Sequence, residues 1–187
     1  MITISFDIGV VNLGCAVLYD DKLIIWKVIK LFEKMKKSIT ISQLVEIIYI
    51  RLDELIGEIK VITDSKIDFV LLENQPSKGI MKTVQVLIYG FFFNLKHYDN
   101  YIVNIVQVNA SIKLEGILMD KSLSKSEQYR NNKKKSVEIC SELIKKNLRL
   151  ENIMIEYKKK SDDLCDSLLQ IIGFLRKKNI KNIIFLE

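Results

Sequence analysis

Along residues 2–9, Ile2, Ile4, Phe6 and Ile8 alternate with Thr3, Ser5 and Asp7. A two-residue period predicts a β-strand. Residues 14–19 and 23–32, rich in apolar and β-branched side chains, flank an Asp20-Asp21-Lys22 turn, so three strands read as an antiparallel meander. From Thr40 the period lengthens. Ile41, Leu44, Val45, Ile48, Leu52, Leu55, Ile56 and Ile59 recur at helical spacing, with Thr40 or Ser42 available as N-cap. Residues 67–73 form a short, nearly all-apolar run, the pattern of a strand covered on both faces, and it ends in Glu73. After a break at 74–79, residues 80–97 predict a long helix that is apolar over most of its circumference. A second buried face of that kind points to a dimer seam, where Gly90 permits close approach; a central helix packed on both sides of a monomer is the alternative.

Residues 101–108 predict a fifth strand. Residues 109–135 show no clean period and carry seven basic residues, including Lys113, Lys121, Lys133, Lys134 and Lys135, against three acidic ones, Glu115, Asp120 and Glu127. An irregular stretch of this length inside a domain is usually functional or mobile. A short helix is expected over 136–146, an apolar patch over 153–155, and a last helix capped by Ser161. Neither repeat nor linker divides residues 1–187. The order βββαβαβ followed by helices predicts an α/β fold: a mixed five-stranded sheet, its parallel strands centrally placed, with helices on both faces.

Composition narrows the functional classes. With 187 residues, 49% hydrophobic content and a single proline, a packed core is favoured over disorder. No apolar run approaches the roughly 20 residues of a membrane span, and the N-terminus lacks the pattern of a secretory signal. Cys15, Cys140 and Cys165 sit in apolar contexts without zinc spacing and read as buried thiols of a reducing compartment. A single histidine, His97, makes histidine-based hydrolysis improbable. The net charge of +6 favours a polyanionic partner.

Asp7 is the anomaly in the first strand, because a carboxylate in a low-dielectric interior needs a cation or a metal beside it. Capping of the following turn is the plainer reading. Ligands of open α/β sheets bind beyond the carboxyl ends of strands, and Glu73 lies at such an end. If the first and fourth strands are neighbours, the two acids share a cleft. Asp163 and Asp166 are three residues apart and lie on one face of the last helix. Asp162 and Asp166 also have helical spacing, so Asp162 in place of Asp163 stays open. Two carboxylates 4 Å apart repel by about 4 kcal/mol at an effective dielectric near 20. Four together need counter-charge, which two bridged divalent cations provide, and oxygen-only ligands favour Mg²⁺ or Mn²⁺. Taken singly, Asp163 and Asp166 would also suit the first turn of any helix.

Asp7-Ile8-Gly9 with Asn12-Leu13-Gly14 resembles the opening of the RNase H-like superfamily, Glu73 matches its second acid, and Asp163-x-x-Asp166 matches its closing pair. In length and element order the chain is similar to RuvC-type resolvases, above all to the poxvirus Holliday junction resolvases. The resemblance implies a homodimer that binds four-way or branched DNA. It implies symmetric paired nicks made with two Mg²⁺ per active site, Mn²⁺ substituting, with metal ligands Asp7, Glu73, Asp163 and Asp166. The ends left are 5′-phosphate and 3′-hydroxyl. No nucleotide cofactor or membrane is involved, and the location is the cytoplasm of an infected host cell. The family also uses a lysine near the site. Lys133 and Lys135, in the run before the expected short helix, fall at the matching place; which of the run it is stays open, and Lys113 is a weaker candidate. RuvC carries an aromatic residue soon after its second acid that helps open the junction. Residues 74–77 have none, which leaves Ile80 and Met81 as an apolar wedge.

Other readings compete. A DxGxxxxG opening also occurs in sugar kinases and actin-like ATPases, but these need a second domain and a second glycine-rich phosphate loop. An RNase H-like nuclease acting on RNA–DNA hybrids, and a non-catalytic branched-DNA-binding module, would share the fold.

Overall fold

The alternating segment at the start of the chain lies at the centre of a sheet. A computed structural model describes residues 1–34, 39–114, 124–145 and 147–180. In it β1 (Ile2–Asp7), β2 (Asn12–Tyr19) and β3 (Lys22–Lys30) form the antiparallel meander. Helix α1 (Ile41–Ile62), strand β4 (Ile67–Glu73), helix α2 (Ile80–His97) and strand β5 (Ile102–Val108) follow. The sheet order is β3-β2-β1-β4-β5, with β4 parallel to β1 and β5 parallel to β4. The parallel strands therefore run from the centre to the β5 edge rather than sitting centrally. Because these three strands point the same way, their carboxyl ends share one rim. Asp7, Glu73 and the turn after Val108 arrive there together.

The two faces of β1 have different coverings. Ile2, Ile4 and Phe6 are buried in one cluster with Ile48, Leu52 and Leu55 of α1 and Val84, Ile88 and Phe92 of α2. Phe6 and Phe92 meet with ring centroids 5.6 Å apart, and truncating such a ring to alanine costs about 3–5 kcal/mol. Thr40 caps α1 in a reciprocal box with Gln43, as the sequence allowed. On the opposite face Thr3 and Ser5 are buried as well. They are small because α5 (Ser161–Lys177), buried continuously from Ser167 to Leu175, lies against β1 and β2 there. Asp7 continues this small-residue face, so its carboxylate points towards α5.

Two glycines set how closely α5 approaches. A Cβ on Gly14 would stand 2.0 Å from the carbonyl oxygen of Asp163, and a Cβ on Gly173 would stand 1.9 Å from that of Ile112. Gly14 lies inside β2, directly opposite Asp7. Trp26 adds a further tie, its indole N–H donating to the Leu164 carbonyl at 2.9 Å.

The C-terminal third departs most from expectation. A 3₁₀ turn (Ala110–Leu114) follows β5, and α3 (Lys125–Ile144) starts eleven residues earlier than the helix expected from 136. Lys133, Lys134 and Lys135 thus lie within a helix, not ahead of one. The apolar patch 153–155 belongs to α4 (Leu148–Glu156), and Lys160, not Ser161, occupies the cap position of α5. Glu115, Asp120, Lys121 and Lys146 lie outside the described residues. Cys15, Cys140 and Cys165 are buried and unbridged, and burial pushes the Cys15 thiol up to about 12. Among the described residues, no helix is long and apolar enough to cross a membrane.

Candidate active site

At the carboxyl rim of β1, β4 and β5 a cavity of about 850 Å³ opens, with Asp7, Glu73, Lys113, Lys133, Asp163 and Asp166 among its lining residues. β1 delivers Asp7 and β4 delivers Glu73 from adjacent parallel strands, whose register pairs Phe6 with Leu72. The first turns of α5, seated against Gly14, deliver Asp163 and Asp166. Strands one and four are neighbours, which is the condition under which Asp7 and Glu73 share a cleft.

The focus of this cluster is a lysine. Lys113 Nζ lies 2.8 Å from Asp7 Oδ1, 2.7 Å from Glu73 Oε2 and 2.8 Å from Asp166 Oδ2. Its side chain is 9% exposed. Lys113 sits in the 3₁₀ turn after β5, which is anchored by buried Ile112 packed against Gly173 of α5. Asp163 lies outside this contact, 3.7 Å from Lys160 Nζ. Asp162 is turned away to Lys133 at 2.5 Å, so Asp163 is the member of that pair that lines the cavity.

One ammonium facing three carboxylates leaves an excess of negative charge. Burial, reinforced by neighbouring acids, holds the Asp7 and Asp166 carboxyls above their ordinary range even though Lys113 pulls both down. Burial, then the charges of Asp162 and Asp7, raise Asp163 to about 6. For Lys113 burial acts against the charge, but Asp7, Asp166 and Glu73 outweigh it and lift its pKa well above the usual lysine range. Asp162 goes the other way: its ion pair with Lys133 overcomes partial burial and lowers it.

Of the residues singled out in the sequence, Asp7, Glu73, Asp163 and Asp166 come together. Lys133 lines the cavity but is engaged with Asp162. Lys134, 79% exposed, pairs loosely with Glu138 at 3.8 Å, and Lys135 is not among the cavity-lining residues. Met81 is among them and Ile80 is not, while both pack against the core. Ser136, buried on α3, hydrogen-bonds Asp166, a contact that nothing in the sequence signals. Lys113, the weaker candidate by sequence, is the lysine at the centre. The signal that promotes it is topological: it follows the third parallel strand, whose end must lie on the same rim as Asp7 and Glu73.

The cluster suits a hard cation. Its donors are all carboxylate oxygens from three separate elements, and they already converge on a single positive charge. As they stand, no group of three or more His, Cys, Asp or Glu among the described residues is arranged to hold a metal ion. The Lys113 ammonium occupies their focus, and metal ligation would need shorter distances than those to its nitrogen.

The sheet order, the α5 layer and the rim of acids define an RNase H-like fold of RuvC type. Solved structures agree in fold. Fowlpox virus resolvase in complex with its substrate Holliday junction DNA matches with TM-score 0.62 and 22% identity, over 95% of this chain and 99% of that one. Thermus thermophilus RuvC matches with TM-score 0.55 and 14% identity over 95% and 97% of the two chains. T. thermophilus RuvC in complex with a Holliday junction substrate gives TM-score 0.54 and 13% identity over 95% and 96%. No curated protein matches the sequence. The chain belongs to the poxvirus A22 protein family, whose model matches residues 1–178.

Proposed function

We propose that this protein is a structure-specific DNA endonuclease that resolves Holliday junctions and other branched DNA by symmetric paired nicks, through metal-dependent phosphodiester hydrolysis. The observation that carries the reading is the convergence of Asp7, Glu73 and Asp166 on one cationic nitrogen, with Asp163 beside them in the same cavity. Asp7, Glu73, Asp163 and Asp166 would hold two Mg²⁺, or Mn²⁺ in their place. Such a pair supplies an activated water and stabilises the leaving oxygen of an in-line displacement.

The chain's own groups do the rest. Asp7, on the central strand, is reached from both β4 and α5 and so ties the acids into one cluster. Ser136 and Lys133 of α3 hold Asp166 and Asp162, which fixes the rotation of the acid-bearing turn of α5. Of the run Lys133, Lys134 and Lys135, Lys133 at the cavity is the one nearest the cut, the other two would meet phosphates farther out, and the excess of basic residues favours a polyanion throughout. Two of the fold's relatives were solved with Holliday junction DNA, which supports a junction as substrate. A homodimer would place two such sites on one junction. Exposed Val86 and Phe93 of α2 offer the apolar surface for it. The cytoplasm of a poxvirus-infected cell is the setting in which we place this activity, on viral replication and recombination intermediates.

The test is a synthetic four-way junction with Mg²⁺. Wild-type protein should cut it in symmetric pairs, and Asp7→Asn should stop cutting while leaving junction binding intact. Cleavage confined to RNA–DNA hybrids would overturn the assignment.

A further inference from the structure

An incoming divalent ion has a competitor inside the chain. An ammonium group has three donors and no acceptor; Lys113 donates to Asp7 and Asp166, each at 2.8 Å, and stands in ion-pair contact with Glu73 at 2.7 Å. Mg²⁺ takes its oxygens at about 2.0–2.1 Å, so the same three oxygens would have to draw inward around it. A dication and an ammonium cannot share that focus. The turn carrying Lys113 is fixed by Ile112 against Gly173, whereas the side chain borders a cavity of about 850 Å³. The side chain, not the backbone, is the part with room to move.

We propose that Lys113 is a resident counter-cation that holds the three carboxylates together in the metal-free protein and swings into the cavity when a divalent ion takes its place. The idea rests on the metal-dependent reading given above. It makes metal entry an exchange of one cation for another, so affinity for the ion is weaker than an open carboxylate cluster would give. It also lets the site assemble before any metal arrives.

Binding of Mn²⁺ alone to the DNA-free full chain, followed by electron paramagnetic resonance of the free ion, tests this. Lys113→Met keeps the stem and removes the charge. It should bind Mn²⁺ at least tenfold more tightly than wild type and melt at a lower temperature without metal, the gap closing as Mn²⁺ is added. Equal or weaker Mn²⁺ binding by Lys113→Met, while Asp7→Asn abolishes binding, overturns the exchange and leaves the metal-dependent reading standing. Wild type that binds no Mn²⁺, or binds it regardless of Asp7→Asn, overturns both. Should Lys113→Met not fold, wild-type protein answers by reductive methylation read by mass spectrometry. Lys113 should be protected without Mn²⁺ and modified with it; equal protection in both states overturns the exchange.

Discussion

The carbonyl oxygen of Asp163 and the Cα of Gly14 are packed so closely that a methyl group on Gly14 would lie 2.0 Å from that oxygen. The first turn of the acid-bearing helix therefore rests on bare backbone of the strand paired with β1. Gly14→Ala must push that turn outward, moving Asp163 and Asp166 away from Asp7 and Glu73. Overpacking of this kind costs about 1–3 kcal/mol. Urea denaturation should show a loss in that range, and junction cleavage should fall by orders of magnitude, with junction binding retained.

The lysine run on α3 separates into two roles. Lys133 is paired with Asp162, so its removal disturbs the site as well as any phosphate it meets. Lys134 is directed outward and Lys135 does not line the cavity. The double change Lys134→Gln, Lys135→Gln should weaken junction binding and lower the slope of log K against log salt by about 0.9 for each phosphate no longer neutralised. An unchanged slope in a salt titration would remove these lysines from the interface.

Protons should stabilise the metal-free protein. Asp163 has an ordinary value of 3.8 and a folded value of about 6, so between those pH values the folded state holds a proton that the unfolded state has released. Stability is thus highest below about pH 4 as far as this group is concerned, and falls as pH rises through 6. The contribution is about 3 kcal/mol at most. Asp7 and Asp166, also raised, act in the same direction. Chemical denaturation without divalent ions should show the loss between pH 4 and 7, and Mg²⁺ should flatten it.

Val86 and Phe93 lie seven residues apart on α2 and remain 57% and 42% exposed. A spacing of seven puts them on one face of the helix, clear of Val84, Ile88 and Phe92 in the core. Sedimentation at micromolar concentration should give a dimer, and Phe93→Glu should shift it to monomer without loss of helical circular dichroism. A wild-type monomer would remove the seam from α2.

What can be read from the sequence depends on apolar pattern. β4 and α2 have the expected bounds because their hydrophobic periods begin and end sharply. The four acids are legible because carboxylates at strand ends and in the first turn of a helix stand out against apolar neighbours. The start of α3 is hidden because its first half has little apolar stripe, and periodicity cannot register a helix built largely of lysine, asparagine and glutamine. That start is nonetheless written in Ser124 and Glu127, which form a reciprocal capping box. Lys113 escapes for a different reason. Nothing local marks it, and only the parallel pairing of β5 with β4 carries it to the acids.

Helix α5 supplies two of the four acids and is also among the most deeply enclosed elements of the molecule. It has no fraying edge or surface hinge at its middle, and the close packing at Gly14 and Gly173 clamps it at two heights. The acids on its first turns cannot be rearranged by local breathing of that helix. Adaptation to differently shaped substrates must fall to the elements around it, while the reacting geometry is inherited from the core itself.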